Sequence, residues 1–439
     1  MKRKFSLLIG LVILALVLVS CAPAAPEVTP EEPAAPVVEE PEEVEEPEEV
    51  VEEPEVVAVI KVGALLPLTG PDAINGQNQQ SGHEFAVQKI NEAGGIACLG
   101  GAQLQMVYGD SRGTSESGNA ETERLITEEE VIAVMGAFHS GVTLPATEIA
   151  ERYQVPFLVS NALAGEITAR GLQYTFKTAV SIEQMAEDAA NFALDNGGAE
   201  TALILVPNIT FGEEFAKAWR VVLPELGFEV VGDIAFPSGA SDFQDTILSI
   251  SAADPDVIFT ISNTADASLM VRQMNELDYW PNVALITAAG GYADPTLVAN
   301  LGANADGIFL TNDWFPNINR PGATELNEEF KAEYGLDMTG NINTTYAGMF
   351  VLADALEVAC STDPIALAET MRTIELDESS DWSFGWAFMY PAIAFAENGF
   401  NEYTSNVIAQ IQDGVPFVVW PDDVAAAEAV WPVPTWSER

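Results

Sequence analysis

From residue 56 onward, short apolar runs alternate with stretches of helical period, and this rhythm constrains the fold more than any single motif. VVAVIKVGALL reads as a buried strand. A helix follows over 77–93, with Phe85, Ala86, Ile90 and Ala93 on one side and Gly94-Gly95 as its stop. Strand AQLQMVYGD, helix 115–128, strand VIAVMGA, helix 142–153 and strand VPFLVS come next. After ITARG the same pattern resumes with helix 182–195, strand TALILVP, helix 212–226, strand FEVVGDIAF, helix 243–252, strand DVIFTIS, helix 265–277 and strand VALITAA. Such alternation specifies an α/β protein with parallel sheets covered by helices on both faces. The series is too long for one core, since single domains rarely pass about 250 residues. Two doubly wound, Rossmann-like lobes are therefore expected, with 176–181 as a crossing between them.

The N-terminus has a different character. Met1-Lys2-Arg3-Lys4 is basic, the next fifteen residues are apolar except for Ser6 and Gly10, and the run closes on Leu18-Val19-Ser20-Cys21. This is the pattern of a secretory signal over 1–20, too short for a comfortable membrane span of about twenty residues. Leu-Val-Ser-Cys resembles the lipobox of bacterial lipoproteins, which makes Cys21 the expected lipidation site; the competing reading is an ordinary signal or anchor with an incidental cysteine. Either places the mature chain outside the cytoplasm. Residues 21–57 are almost entirely Ala, Pro, Glu and Val, including PEEVEEPEEVVEEPE. Proline breaks helices there and like charges repel, so a disordered tether is expected, reaching at most roughly 100 Å. The formal net charge of −50 extends beyond the tether and argues against nucleic acid or anionic lipid as partners.

Cys98 and Cys360 are the remaining cysteines and supply either one bridge or two independent buried thiols. Two histidines and no CxxC leave little material for a transition-metal site, no Asp/Asn run has calcium-loop spacing, and no cofactor motif is present. The polar residues gather instead in six loops, each after a strand and before a helix: LTGPDAINGQ, GAFHSGVT, VSNALAG, VPNITFGEE, ISNTAD and TAAGGYADP. In doubly wound sheets this is the ligand side. Ser140 is the one residue there that looks like a nucleophile. It lacks the G-x-S-x-G setting, and its neighbour His139 should point the opposite way in extended chain. The other histidine, His83, falls within the first helix. Ser, Asn, Thr and Gly are hydrogen-bonding groups, so Ser140 reads as part of an anion cradle rather than a catalytic relay.

IKVGALLPLTGPDAINGQ, GHEFAVQKINEAGGI, GAFHSGVTLPATEIAERYQVPFLVS and EITARG, in this order and spacing, resemble the leucine/isoleucine/valine-binding proteins, the type I periplasmic solute receptors of ATP-driven importers. The resemblance spans about 60–401. It implies two lobes joined by three crossings, with 58–181 and 312–402 in lobe 1 and 182–311 and 403–439 in lobe 2. It also implies a monomer that is no enzyme, needs no cofactor or metal, and hands a small amino acid-like ligand to permease and ATPase subunits. Carried onto this chain, Ser140 meets the ligand carboxylate, and Asn161, Ala162 and Leu163 form the loop that completes that site. Phe211 covers the ligand from the second lobe, while Asn75, Asn263, Gly290 and Tyr292 line the cleft.

Two departures bear on the ligand. Leu163 stands where the family has threonine. The loop where the family places its ammonium-binding glutamate offers only Ala289 or Gly290. A desolvated ammonium without a carboxylate costs several kcal/mol. Either Glu166 or Asp294 takes that role, or the ligand is a hydrophobic carboxylate, an aromatic acid or an amide. A sensor of the same fold, and an extracytoplasmic hydrolase using an acid pair, are the rival functions.

Overall fold

The computed structural model describes residues 58–288, 290–377 and 390–438. The signal, the tether and Cys21 lie outside the described residues, as does Ala289. Residues 56–439 form one compact unit.

The first sheet contains β1 (Val59–Leu66), β2 (Gln103–Asp110), β3 (Val134–Gly136), β4 (Phe157–Val159) and β5 (Thr175–Lys177), in the order β2-β1-β3-β4-β5 and parallel throughout. It is threaded by α1 (Ala73–Glu92), α2 (Ser115–Thr127), α3 (Ser140–Tyr153) and the single turn α4 (Glu166–Ala169). The second sheet repeats the arrangement. It contains β6 (Thr201–Pro207), β7 (Glu229–Phe236), β8 (Val257–Thr260), β9 (Ala284–Ala288) and β10 (Phe309–Asn312), pairing in the order β7-β6-β8-β9-β10. Its helices are α5 (Ile182–Asn196), α6 (Thr210–Glu225), α7 (Gln244–Ala253), α8 (Thr264–Glu276) and α9 (Pro295–Leu301). Helices on both faces explain why the central strands are continuous apolar runs rather than alternating ones: Val62, Ala64, Leu65 and Leu66 of β1 and Ala202 to Val206 of β6 are all buried.

The chain crosses between sheets three times. Residues 178–181 lead from β5 to α5, which packs on α6 and the second sheet. After β10 the chain returns to the first sheet's half as α10 (Ala323–Tyr334), α11 (Gly340–Ala359) and α12 (Pro364–Met371). Phe85 of α1 packs edge-on against Phe330 and Tyr334 of α10, and α11 lies along α1. A small antiparallel pair, β11 (Glu375–Asp377) with β12 (Ala392–Ala394), precedes the last crossing. That crossing leads to β13 (Val407–Gln412), which pairs antiparallel with β10, and β14 (Val415–Trp420), which pairs antiparallel with β13 and ends the second sheet. The apolar periodicity before residue 300 did not announce this extension.

At the second crossing Asp313 is buried. A Cβ on Gly340, at the start of α11, would stand 2.8 Å from its carboxylate and from the Asn312 amide oxygen, so a larger residue there would push both side chains aside. Burial pushes the Asp313 carboxyl up to about 7; its own N–H and that of Trp314 only partly oppose the shift, and the buried Tyr390 lies within electrostatic reach. Asp188 holds the third crossing by accepting from the amide of Asn406 at 2.7 Å.

Each half has its own fastening. Cys98, in a turn after α1, forms a disulfide with Cys360, the residue after α11, with Cα atoms 5.5 Å apart. In the second half, residues 421–438 run as a strap. Trp431 donates to the carbonyl of Gly197 and Trp436 to that of Tyr279, both at 2.8 Å, and Val433 N–H donates to Val283. Trp431 packs edge-on against Phe192 and Phe309, and Trp436 against Trp280.

Candidate functional site

In an open doubly wound sheet, ligands bind beyond the strand carboxyl ends where the strand order reverses. The reversal falls between β1 and β3 in the first sheet and between β6 and β8 in the second. The loops leaving those four strands lead to Asn75, Ser140, Phe211 and Asn263.

The loop after β1 is fixed by Asp110, which accepts the N–H groups of Leu68 at 3.0 Å and Thr69 at 3.2 Å and the Thr69 hydroxyl. Burial opposes its charge, but these bonds and the Arg112 N–H outweigh burial and hold the carboxyl below its ordinary range. Asn75 lies half-buried in the first turn of α1, which begins at Ala73, four residues earlier than periodicity indicated.

Ser140 is the first residue of α3, where N–H groups have no acceptor in their own helix. Its Oγ accepts the Ala164 N–H at 3.2 Å, so the hydroxyl proton remains for another acceptor. His139 turns away from it, with Nε2 3.0 Å from the Asp72 carboxylate. His83 is wholly buried, and burial lowers its pKa to about 3. Neither imidazole is placed to take a proton from Ser140.

Ala164 belongs to the loop after β4. Asn161 and Ala162 are buried there, and the Asn161 amide approaches the Asn341 carbonyl at 3.5 Å. Leu163 is half-buried. Its carbonyl accepts from Lys177 Nζ at 2.8 Å, and that of Ala164 at 3.2 Å. Lys177, the last residue of β5, is fully buried. Sequence reasoning missed it, because a lysine at a strand end ordinarily reads as solvated.

The second sheet presents a different surface. Phe211 is half-buried at the start of α6 and meets Phe215 edge-on at 5.2 Å. Asn263 is the N-cap of α8. Its Oδ1 accepts from Asp266 N–H at 2.9 Å, and its Nδ2 donates to Asp266 Oδ2 at 2.6 Å and to Ser238 Oγ at 3.2 Å. Asp266, another residue missed, is buried and also accepts the Gly239 N–H; its signal was the Asn-x-x-Asp spacing of a helix start. Gly290 has φ +62°, and a side chain on Gly291 would collide with the backbone of Asn263 and Thr264, so this glycine pair permits close approach to the β8 loop. Tyr292 is buried in the second core, which raises its pKa. Asp294 caps α9 through Thr296 and accepts the Thr264 hydroxyl at 3.1 Å. Of the two acids considered for a ligand ammonium, Asp294 is thus engaged, while Glu166 is exposed at the start of α4.

The two sets of elements meet beside the first crossing. A Cβ on Gly165, the N-cap of α4, would stand 3.2 Å from the Glu183 carboxylate of α5. Burial, then the charges of Glu183 and Glu166, push the Glu214 carboxyl of α6 up. Among the described residues no group of three or more His, Cys, Asp or Glu could hold a metal ion, and no helix is long and apolar enough to cross a membrane.

Two sheets of one strand order, joined by three crossings and carrying polar loops at both reversals, define a two-lobed solute-binding protein. The chain belongs to the periplasmic binding protein family, whose profile matches residues 59–409. It is 30% identical over 385 residues to Leu/Ile/Val-binding protein homolog 7 of Brucella suis, covering 84% of this chain and 94% of the relative. In fold it is similar to the leucine-binding protein LivK of Thermotoga maritima (TM-score 0.70, 24% identity, 83% of this chain and 100% of the other). It is also similar to the branched-chain amino acid transporter substrate-binding protein LivJ of Streptococcus pneumoniae, solved with isoleucine (TM-score 0.71, 21% identity, 85% and 100%). The chain is a binding protein and not an enzyme.

Proposed function

We propose that this chain is the extracytoplasmic receptor of an ATP-driven importer, anchored through a lipidated Cys21 and the 21–57 tether. It takes up a small hydrophobic carboxylate, a branched-chain amino acid or a close analogue, between lobe 1 (58–181 and 312–402) and lobe 2 (182–311 and 403–439). Closure of the lobes about the crossings buries the ligand and forms the surface that the permease recognises. The observation that carries this reading is the Ser140 hydroxyl. Because its oxygen already accepts the Ala164 N–H, it is left as a donor at a helix N-terminus, the arrangement that suits a carboxylate. Asn161, Leu163 and Asn75 border it from lobe 1, and Phe211 supplies an apolar cover from lobe 2. The names of the relatives point to the branched-chain amino acids.

Titration calorimetry with leucine, isoleucine, valine, their deaminated acids and their amides tests the proposal. A carboxylate from this set binds the wild type, and Ser140→Ala weakens it by about 1–3 kcal/mol, the usual cost of losing a hydrogen bond to a charged group. An unchanged affinity in that variant removes Ser140 from the site. Tighter binding of leucine than of 4-methylpentanoate assigns an ammonium acceptor, with Glu166 the first residue to replace.

A further inference from the structure

The peptide group between Leu163 and Ala164 is held at both ends. Its carbonyl accepts from Lys177 Nζ at 2.8 Å, and its N–H donates to Ser140 Oγ at 3.2 Å. In a trans peptide these two groups point in opposite directions, so a single plane links the buried ammonium to the serine hydroxyl. Hydrogen bonds in such a series polarise one another: a charged donor on the carbonyl strengthens the N–H, which in turn strengthens the hydroxyl as a donor. We infer that Lys177 is a positioning residue of the ligand site, orienting the Leu163–Ala164 peptide behind Ser140 and coupling the arrival of an anion to the uptake of a proton. This rests on the reading of Ser140 and the 161–164 loop as the carboxylate site.

The surroundings of Lys177 favour such coupling. The side chain is fully buried, with its Nζ 5.6 Å from the centre of the Phe400 ring. Burial lowers its pKa to about 7, while Glu183 of α5 and Glu214 of α6 pull it upward. Glu166 of α4 acts on Glu214, and Arg372 lies over the ring of the neighbouring Phe176. The ammonium is therefore only partly protonated above neutrality, and a carboxylate accepted by Ser140 favours the protonated form. The proton comes from solvent and is released when the ligand leaves. No covalent bond changes.

The test uses calorimetry of the full chain in two buffers of different ionisation enthalpy at about pH 8, with leucine and 4-methylpentanoate as probes; the latter carries no group that titrates there. The wild type takes up a substantial fraction of a proton per 4-methylpentanoate bound, and its affinity falls by at most about tenfold per pH unit above 7. Lys177→Arg, whose charge is permanent, retains binding but shows neither proton uptake nor this pH dependence. Lys177→Met binds more weakly at every pH, again without uptake. Wild-type binding without proton uptake overturns the inference whether or not the variants fold, as does unchanged uptake in Lys177→Arg. Failure of both probes to bind the wild type removes the carboxylate site itself, and the inference with it. Binding that depends on Ser140 but is indifferent to Lys177 leaves the receptor reading standing and removes only the role of the lysine.

Discussion

The first sheet's half is closed by a covalent link between the turn after α1 and the end of α11, whereas the second is wrapped by eighteen residues whose indoles hydrogen-bond to the ends of α5 and α8. The site loops diverge as well. Around Ser140 a hydroxyl proton is left over, while in the second half Asn263, Asp266, Ser238, Thr264 and Asp294 satisfy one another. The five parallel strands of each sheet share one order, so it is the loops that differ: the second half gathers a bonded cluster of Asn263, Asp266 and Ser238, with Phe211 at the start of α6, where the first has the Ser140 hydroxyl. The strand order is common to both halves, and the loops set them apart.

The largest test of this contrast is the disulfide. Reduction, or Cys98→Ser with Cys360→Ser, removes a link across a sequence separation of 262 residues. The chain-entropy relation puts the loss at about 5.5 kcal/mol. Hydrogen exchange should then show α1 and α11 opening before β6 and β9; uniform loss of protection would mean that the halves unfold as one body and break the comparison.

Next is the crossing at Asp313. A carboxyl raised to about 7 is favourable to the folded state below the unfolded value near 4, and that contribution is lost as pH rises through 7. Asp313→Asn should therefore gain stability relative to wild type between pH 4 and pH 8, by up to about 4 kcal/mol. Chemical denaturation across that range measures it, and parallel curves for the two proteins would refute the shift. In the strap, Trp431→Ala should cost about 3 kcal/mol, the lower end for a large aromatic because the residue is only half-buried. Its effect should appear first at α5 and β10. Smallest is Asn263→Ala, expected to cost about 1 kcal/mol in thermal unfolding as the loss of a helix cap. Weaker ligand binding without destabilisation would instead place Asn263 at the ligand.

Much of the fold was legible because buried parallel strands leave long apolar runs between amphipathic helices; β1, β6 and β9 stand out on that ground alone. Helix starts were misread by up to four residues, since Asn75 and Gly76 in the first turn of α1, and Ser140 and Gly141 in that of α3, interrupt the apolar period. The β13–β14 extension and the strap were illegible because a few antiparallel residues and scattered tryptophans have no period. Ser140 was visible by its place after a strand. Lys177 was not, because its burial involves Phe400, more than two hundred residues further along the chain. Asn263 shows the converse: its position pointed to the cleft, while the NTAD spacing already described a cap.

The strap touches Gly197, Tyr279 and Val283, which lie at the amino ends of the second sheet's strands, opposite the loops that carry Phe211 and Asn263. A fluorophore or surface-coupling group attached near residue 438 would therefore sit at the opposite end of the second sheet from those loops. The protein can be immobilised or labelled there with the Phe211 and Asn263 loops left free.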